Sequence, residues 1–228
     1  MNMIAIESPD DPRLEPFRHM TDRELMHSQG LFVAEGEHLV RRLLLSDLAV
    51  HALLGEKEIL DRLAPFMRDT VPAYLADKEL IRAIPGFDFH RGVMAVGIRP
   101  APCTLASIFS KKTDRLALVI CPEINDSENL GAIFRTAAAF AVDGVILGPR
   151  CSDPFYRRTV RVSMGSVFTV PMIRSSDLQS DLNILRDRHR ATLIATVLHD
   201  ATHAIPEYTA PQRFGLLFGT ESQGLGQE

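Results

Sequence analysis

Two polar stretches of this chain carry residue types suited to anion binding and proton chemistry. The first, Asn125-Asp126-Ser127-Glu128-Asn129-Leu130-Gly131-Ala132-Ile133-Phe134-Arg135-Thr136-Ala137, follows the apolar run Leu116 to Ile120. Asn129 has the side chain of a helix cap, Gly131 opens space at the first turn, and Arg135 sits one to two turns further in. Helix N-termini attract anions, and an arginine fork matches a phosphate. A capped amphipathic helix with a surface arginine accounts for the same residues. The second stretch, Gly219-Thr220-Glu221-Ser222-Gln223-Gly224-Leu225-Gly226, follows the apolar run Phe214 to Phe218. Glu221 is its only ionisable side chain before Glu228, and its glycines would let backbone groups touch a ligand directly. A polar turn using glycine for positive φ fits equally well. The stretch is neither a P-loop, for lack of Gly-Lys-Ser/Thr, nor a dinucleotide fingerprint.

Basic residues gather at Arg150, Arg157, Arg158 and Arg161, the last lying four residues from Arg157 and so on one helix face with it. They suit phosphate contact, or a solvated helix side paired with acids. Arg41, Arg42 and Arg91 are similar candidates in the first half. His199, Asp200 and His203 follow an apolar run, and the two histidines have i, i+4 spacing. Two histidines need further ligands, and Ala-Ile-Pro follows instead of a helix, so the spacing predicts an ordinary loop and no metal site.

The elements that must position these residues alternate. In the first half, strands are expected at 31–34, 50–54, 71–75 and 92–98. Helices are expected at 37–45, 56–67 and 77–84, the last closed by Pro85-Gly86. A capping box, Thr21-Asp22-Arg23-Glu24, predicts one more helix ending at Gly30. Prolines 100 and 102 stop helix and strand alike and place a boundary there. The second half predicts strands at 116–120, 144–147, 168–173, 193–198 and 214–218, with helices at 129–140, 153–163 and 177–189. Alternation of this kind means an α/β layer structure, and ligands of open parallel sheets bind beyond the carboxyl ends of the strands.

Composition is that of an ordinary globular protein, 46% hydrophobic and 24% charged, with a formal net charge of −4. Any nucleic-acid site must therefore be a local basic patch. No apolar stretch approaches the ~20 residues of a spanning helix, and residues 1–17 lack the plan of a secretory signal. The expected compartment is the cytoplasm, and the three cysteines (103, 121, 151), odd in number and without a C-x-x-C pair, are expected as buried free thiols.

Taken together, the two polar stretches resemble the SpoU/TrmH family of RNA 2′-O-ribose methyltransferases. Asn129-Leu130-Gly131-x-x-x-Arg135-x-Ala137 is similar to the family's first motif and Leu217-Phe218-Gly219-x-Glu221-x-x-Gly224 to its second. Ser152-Asp153-Pro154-Phe155 and Arg161-Val162-Ser163-Met164-Gly165-Ser166 running into Val170-Pro171 resemble the segments between them. Phe32-Val33-Ala34-Glu35-Gly36 and Arg91-Gly92-Val93-Met94-Ala95 resemble the substrate-binding domain that many members carry.

The resemblance implies a small α/β RNA-binding domain over residues 1–99, a linker at 100–106 and a mostly parallel-sheet SPOUT domain of trefoil-knot type over 107–228. It implies Asn129, Arg135 and Glu221 at the reaction centre. S-adenosyl-L-methionine would lie against Phe218, Gly219, Thr220 and Gly224 and the backbone of Thr196, Val197 and Leu198. The RNA, tRNA or rRNA, would meet Arg150, Arg157, Arg158 and Arg161, in a homodimer. The family's third motif is not found in these 228 residues, so the catalytic half reads as cut short before the knot closes, with the 214–218 strand lacking a neighbour. A non-catalytic RNA-binding relative is the alternative, and a nucleotide-dependent metabolic enzyme on a Rossmann-like sheet is a third reading. Asn129, Arg135 and Glu221 together favour the methyltransferase.

Overall fold

A computed structural model describes residues 2–18, 30–84, 91–109, 114–197, 199, 201–204, 207–220 and 224–225. The capping box at 21–24 and Pro85-Gly86 lie outside them. The chain forms two compact units, Met1–Pro100 with Phe155–Thr169, and Ala101–Pro154 with Val170–Glu228. Among the described residues no helix is long and apolar enough to cross a membrane.

In the first unit, five strands stand in the order β1-β4-β3-β5-β2: β1 (Asn2–Ala5), β2 (Leu31–Glu35), β3 (Val50–Gly55), β4 (Pro72–Leu75) and β5 (Val93–Ile98). β1, β4 and β3 run parallel, whereas β5 is antiparallel to both β3 and β2. Helices α1 (Glu37–Leu44), α2 (Lys57–Leu63) and α3 (Lys78–Ala83) connect them. β1 has no counterpart in the sequence reading, because four residues beside acids and prolines give no readable period; its pairing with β4 is what makes it a strand. A 3₁₀ helix follows at Pro12–Phe17, and its Leu14 and Phe17 are buried in the same core as Leu31, Val33, Leu54, Ile81 and Met94.

The pleat of β2 sends alternate side chains to opposite faces. Leu31 and Val33 join that core, while Phe32 packs on the rings of Phe155 and Phe168, centroids 4.7 and 5.6 Å away. These ring contacts tie Phe155–Thr169 to the first unit, where the sequence reading assigned that segment to the second domain. Its helix α6 spans only Arg157–Val162, shorter than the expected 153–163. Of the strand expected at 168–173, Phe168 ends a buried 3₁₀ helix, Ser166–Phe168, and only residues 172 and 173 are strand.

In the second unit, α4 (Leu105–Phe109) precedes β6 (Leu116–Cys121), α5 (Ser127–Ala139), β7 (Gly144–Leu147), β8 (Met172–Arg174), α7 (Leu178–Asp187), β9 (Thr192–Ala195) and β10 (Arg213–Leu217). The strands stand in the order β8-β7-β6-β10-β9 and every pairing is parallel. Leu118, Ile120, Ile146 and Ile173 build one core with Leu185 of α7 and Ile108 of α4, and α5 packs against β7. The 214–218 strand does not lack a neighbour: β10 lies between β6 and β9, paired to both. One thiol departs from expectation as well, since Cys103 is exposed while Cys121 and Cys151 are buried.

Candidate active site

From β6 the sheet of the second unit winds through β7 to β8, then resumes at the far edge with β9 and returns inward with β10. The winding therefore reverses between β6 and β10, and the carboxyl ends of two such strands flank the crevice where open α/β sheets bind ligands. These are the two strands whose following loops hold the polar stretches. The amide of Phe218 donates to the carbonyl of Ile120 at 2.9 Å, which starts the two loops side by side. From the next strand, Thr196 donates to the Leu217 carbonyl through its amide at 3.1 Å and its hydroxyl at 2.7 Å.

α5 begins two residues earlier than the expected 129–140. Its cap is Asp126, whose Oδ1 accepts from the amides of Glu128 and Asn129 at 2.6 and 3.0 Å. Asn129 is therefore not the cap but a residue of the first turn, and it is exposed, as is Arg135. The two lie six residues apart, about 9 Å along the axis. Helical side chains lean toward the N-terminus, so Arg135 extends back over Gly131 and Ala132 toward the turn that carries Asn129. Arg135 has no hydrogen-bond or ion-pair partner among the described residues, so its charge stands available to a ligand.

The approach to α5 is braced by the loop after β7. Ser152 donates its amide to the Ile124 carbonyl at 2.7 Å, and its hydroxyl lies 2.7 Å from that of Ser127. The Ile124 amide donates to Cys151 Sγ at 3.3 Å, and that thiol donates to the Cys121 carbonyl at 3.0 Å. Burial, first of all, pushes both thiols above the ordinary range. From the end of β8, the Arg174 guanidinium donates to the carbonyls of Pro149, Cys151 and Ser152 at 3.4, 3.1 and 2.9 Å. At Gly148 a Cβ would stand 2.0 Å from the Pro122 carbonyl oxygen, so only glycine lets the two loops meet.

Beyond β10, Thr220 and Gly224 exchange amide-to-carbonyl bonds of 2.9 Å each. A Cβ at Gly219 would lie 2.1 Å from the carbonyl carbon of Gly224; what excludes a side chain there is the chain itself. Phe218, Gly219 and Thr220 are half-buried and Gly224 is exposed. Val197, beyond β9, is exposed to 48%. Glu221, Leu198 and Asp200 lie outside the described residues. His199 is exposed, His203 packs on the Tyr208 ring at 5.5 Å, and no metal-holding group exists among the described residues.

The arginines divide between the units. Arg150 belongs to the second, where it pairs with Glu123 at 2.6 Å. Arg157, Arg158 and Arg161 belong to the first. There they line a cavity of about 210 Å³ with Val33, Glu35, Leu39 and Val160.

Two neighbouring loops at a switch point, one opening a helix that bears Asn129 and Arg135, are an arrangement that comparison with known proteins can place. Residues 117–228 match the model of the SpoU rRNA Methylase family. A relative from Mycobacterium tuberculosis (strain ATCC 25618 / H37Rv), described as an uncharacterized tRNA/rRNA methyltransferase, is 37% identical over 95% of this chain and 77% of its own length. The chain belongs to the SpoU/TrmH family of RNA methyltransferases. A further SpoU/TrmH relative, the 23S rRNA (guanosine(2553)-2'-O)-methyltransferase RlmP of Bacillus subtilis (strain 168), is 25% identical over 98% of this chain and 85% of its own. Among solved structures, an rRNA methyltransferase from Sinorhizobium meliloti shares the fold, with TM-score 0.79 and 24% identity over 99% of this chain and 85% of that one. An AdoMet-bound rRNA methyltransferase from Sinorhizobium meliloti matches with TM-score 0.78 and 24% identity over 98% of this chain and 84% of that one.

Sequence reasoning did not single out Arg174, Ser127 or Cys151 as supports of the SpoU/TrmH site. One signal was available for Arg174: it is a cation at the carboxyl end of a strand, the edge where this fold keeps its loops. For Ser127 and Cys151 there was none, since each acts through a partner some 25 to 30 residues away.

Proposed function

We propose that this chain transfers a methyl group from S-adenosyl-L-methionine to a ribose 2′-hydroxyl of tRNA or rRNA. The observation that carries the reading is the Phe218–Ile120 bond, which sets the glycine loop beside the start of α5 at the switch point. The 2′-hydroxyl specificity draws on RlmP, whose name states it.

The residues present fit the cofactor. The ends of β9 and β10 are joined through Thr196 and Leu217, and beyond them the backbone of Val197 and of Phe218 to Thr220 forms one ledge. Exposed Val197 gives that ledge an apolar surface for an adenine ring, and Gly219 lets the loop close tightly on the Gly224 backbone. Thr196, Val197, Leu198, Phe218, Gly219, Thr220 and Gly224 would hold the cofactor. When bound, it supplies an electrophilic sulfonium methyl.

Arg135 clamps the phosphate next to the reacting ribose and stabilises negative charge as the hydroxyl loses its proton. A guanidinium is too weak an acid to serve as the base, so the clamped phosphate accepts that proton. Asn129, at the mouth of the same helix, orients the ribose, and Glu221 holds the loop in place. Arg150, Arg157, Arg158 and Arg161 contact RNA, in a cytoplasmic homodimer.

The test is transfer of labelled methyl from S-adenosylmethionine to bulk RNA, followed by digestion to nucleosides. Ribose-methylated nucleosides are expected, and label in the bases would overturn the ribose assignment. Arg135→Gln is expected to slow transfer about a hundredfold, and near-normal turnover would remove Arg135 from the mechanism. RNA binding without transfer by the unaltered chain is the outcome for a non-catalytic relative.

A further inference from the structure

Arg174 stands outside every group assigned to methyl transfer, yet its bonds lead to the helix that carries Asn129 and Arg135. It is the last residue of β8, in register with Leu147 of β7, so the sheet fixes its backbone. Its guanidinium holds the loop after β7 by the carbonyls of Pro149, Cys151 and Ser152, at 3.4, 3.1 and 2.9 Å. Two of those residues turn a second group toward Ile124. Cys151 Sγ accepts from the Ile124 amide at 3.3 Å, and the Ser152 amide donates to the Ile124 carbonyl at 2.7 Å. Both backbone groups of Ile124 are thus held by residues that Arg174 holds. Ile124 lies two residues before the cap of α5, and the Ser152 hydroxyl, 2.7 Å from that of Ser127, reaches the first residue of the helix itself. None of these bonds touches the cofactor ledge, which hangs on the Phe218–Ile120 and Thr196–Leu217 bonds.

We infer that Arg174 is a positioning residue for methyl transfer, fixing through Cys151 and Ser152 the place at which α5 presents Asn129 and Arg135 to the RNA. The inference rests on the methyl-transfer reading above and divides its site in two: a helix start set from β8, and a ledge set from β9 and β10. A helix moves as a unit, so a shift at Ile124 is carried to both side chains, and in-line transfer tolerates little misplacement. The position calls for arginine because three carbonyls set in different directions need several donors in a fixed fork, which one ammonium cannot reproduce.

Rates of labelled methyl transfer from S-adenosylmethionine to bulk RNA by the full chain, with calorimetric titration of S-adenosylmethionine, test this. Arg174→Ala is expected to lower the maximal rate about a hundredfold while leaving S-adenosylmethionine affinity within about twofold, under half a kcal/mol. Amide exchange at Ile124 and Ser152 must quicken while β6 and β10 stay protected. Because Arg174 is exposed, guanidinium ion far below denaturing concentrations can reach the vacated place, and must raise the rate of Arg174→Ala but not that of the unaltered chain. Should Arg174→Ala fail to fold, Arg174→Lys keeps the charge without the fork, and must show the same slower transfer and faster exchange at unchanged affinity. Near-normal transfer by the folded variant overturns the inference and leaves methyl transfer standing. A parallel loss of S-adenosylmethionine affinity overturns it too, since Arg174 would then support the whole end of the sheet. Absence of transfer by the unaltered chain overturns the methyl-transfer reading itself, and unchanged exchange at Ile124 overturns the positioning independently of activity.

Discussion

Asp126 Oδ1 receives the backbone amide of Asn129 at 3.0 Å, so the residue that caps α5 lies three positions before the one expected to serve the reaction. The cap spares the side chain of Asn129 from that duty and leaves it at the mouth of the helix.

Replacing Asp126 by alanine removes an acceptor shared by two amides. The expected cost is about 1 kcal/mol of stability, read as a lower denaturant midpoint at unchanged slope, together with faster amide exchange in residues 128 and 129. An unchanged midpoint would mean that the brace from Ser152 and Cys151 holds the turn without its cap.

Gly219→Ala puts a methyl group where the Gly224 backbone already is, and no rotamer can relieve a clash with main chain. The loop must open. Titration calorimetry with S-adenosylmethionine should show affinity lowered tenfold or more, while the melting temperature moves little because the loop lies at the edge of the core. Unaltered affinity would show that the cofactor does not use this ledge.

Phe32→Ala removes a side chain 1% exposed that packs on two further phenylalanines. The expected loss is about 3–5 kcal/mol. A second expectation follows from the pairing of Phe32 with Phe155 and Phe168. Proteolysis should become fast within residues 155–169 in this variant, before the strands of the second unit are cut.

Thiol labelling should separate the cysteines. Cys103 is exposed, whereas burial keeps Cys121 and Cys151 protonated and out of reach. Under native conditions near neutral pH a disulfide reagent should titrate one thiol per chain at once, and all three only in denaturant. Fast reaction of Cys151 would mean that the loop holding Ser152 opens readily.

What the sequence made legible follows from the range over which its signals act. β7 was read to the residue because Gly144 to Leu147 is a short apolar run buried on both faces. The two motif loops were legible because each follows such a run and concentrates glycine and amide residues. The cap was misplaced because Asp126 and Asn129 are both good caps, and only the winding of the first turn distinguishes them. Nothing local announced that β10 enters between β6 and β9, or that residues 155–169 pack with the first unit. Both are long-range choices, the second made by the fit of Phe32 to Phe155 and Phe168. The brace through Arg174 was hidden for the same reason, since its acceptors are carbonyls and carbonyls carry no residue identity.

The pairing of Leu116 with Arg213 also sets an order of events. About a hundred residues of chain separate the two central strands, and closing a loop of that length is slow and entropically costly. On the ribosome, β6 emerges long before its partner, so its inner edge must wait with hydrogen-bonding groups unsatisfied and apolar faces incompletely covered. Synthesis pauses ahead of residue 213 would prolong that wait and favour aggregation of the nascent chain. The strand that brings the second motif to the first is thus the last of the described strands to join the sheet, and the two loops can meet only after it has done so.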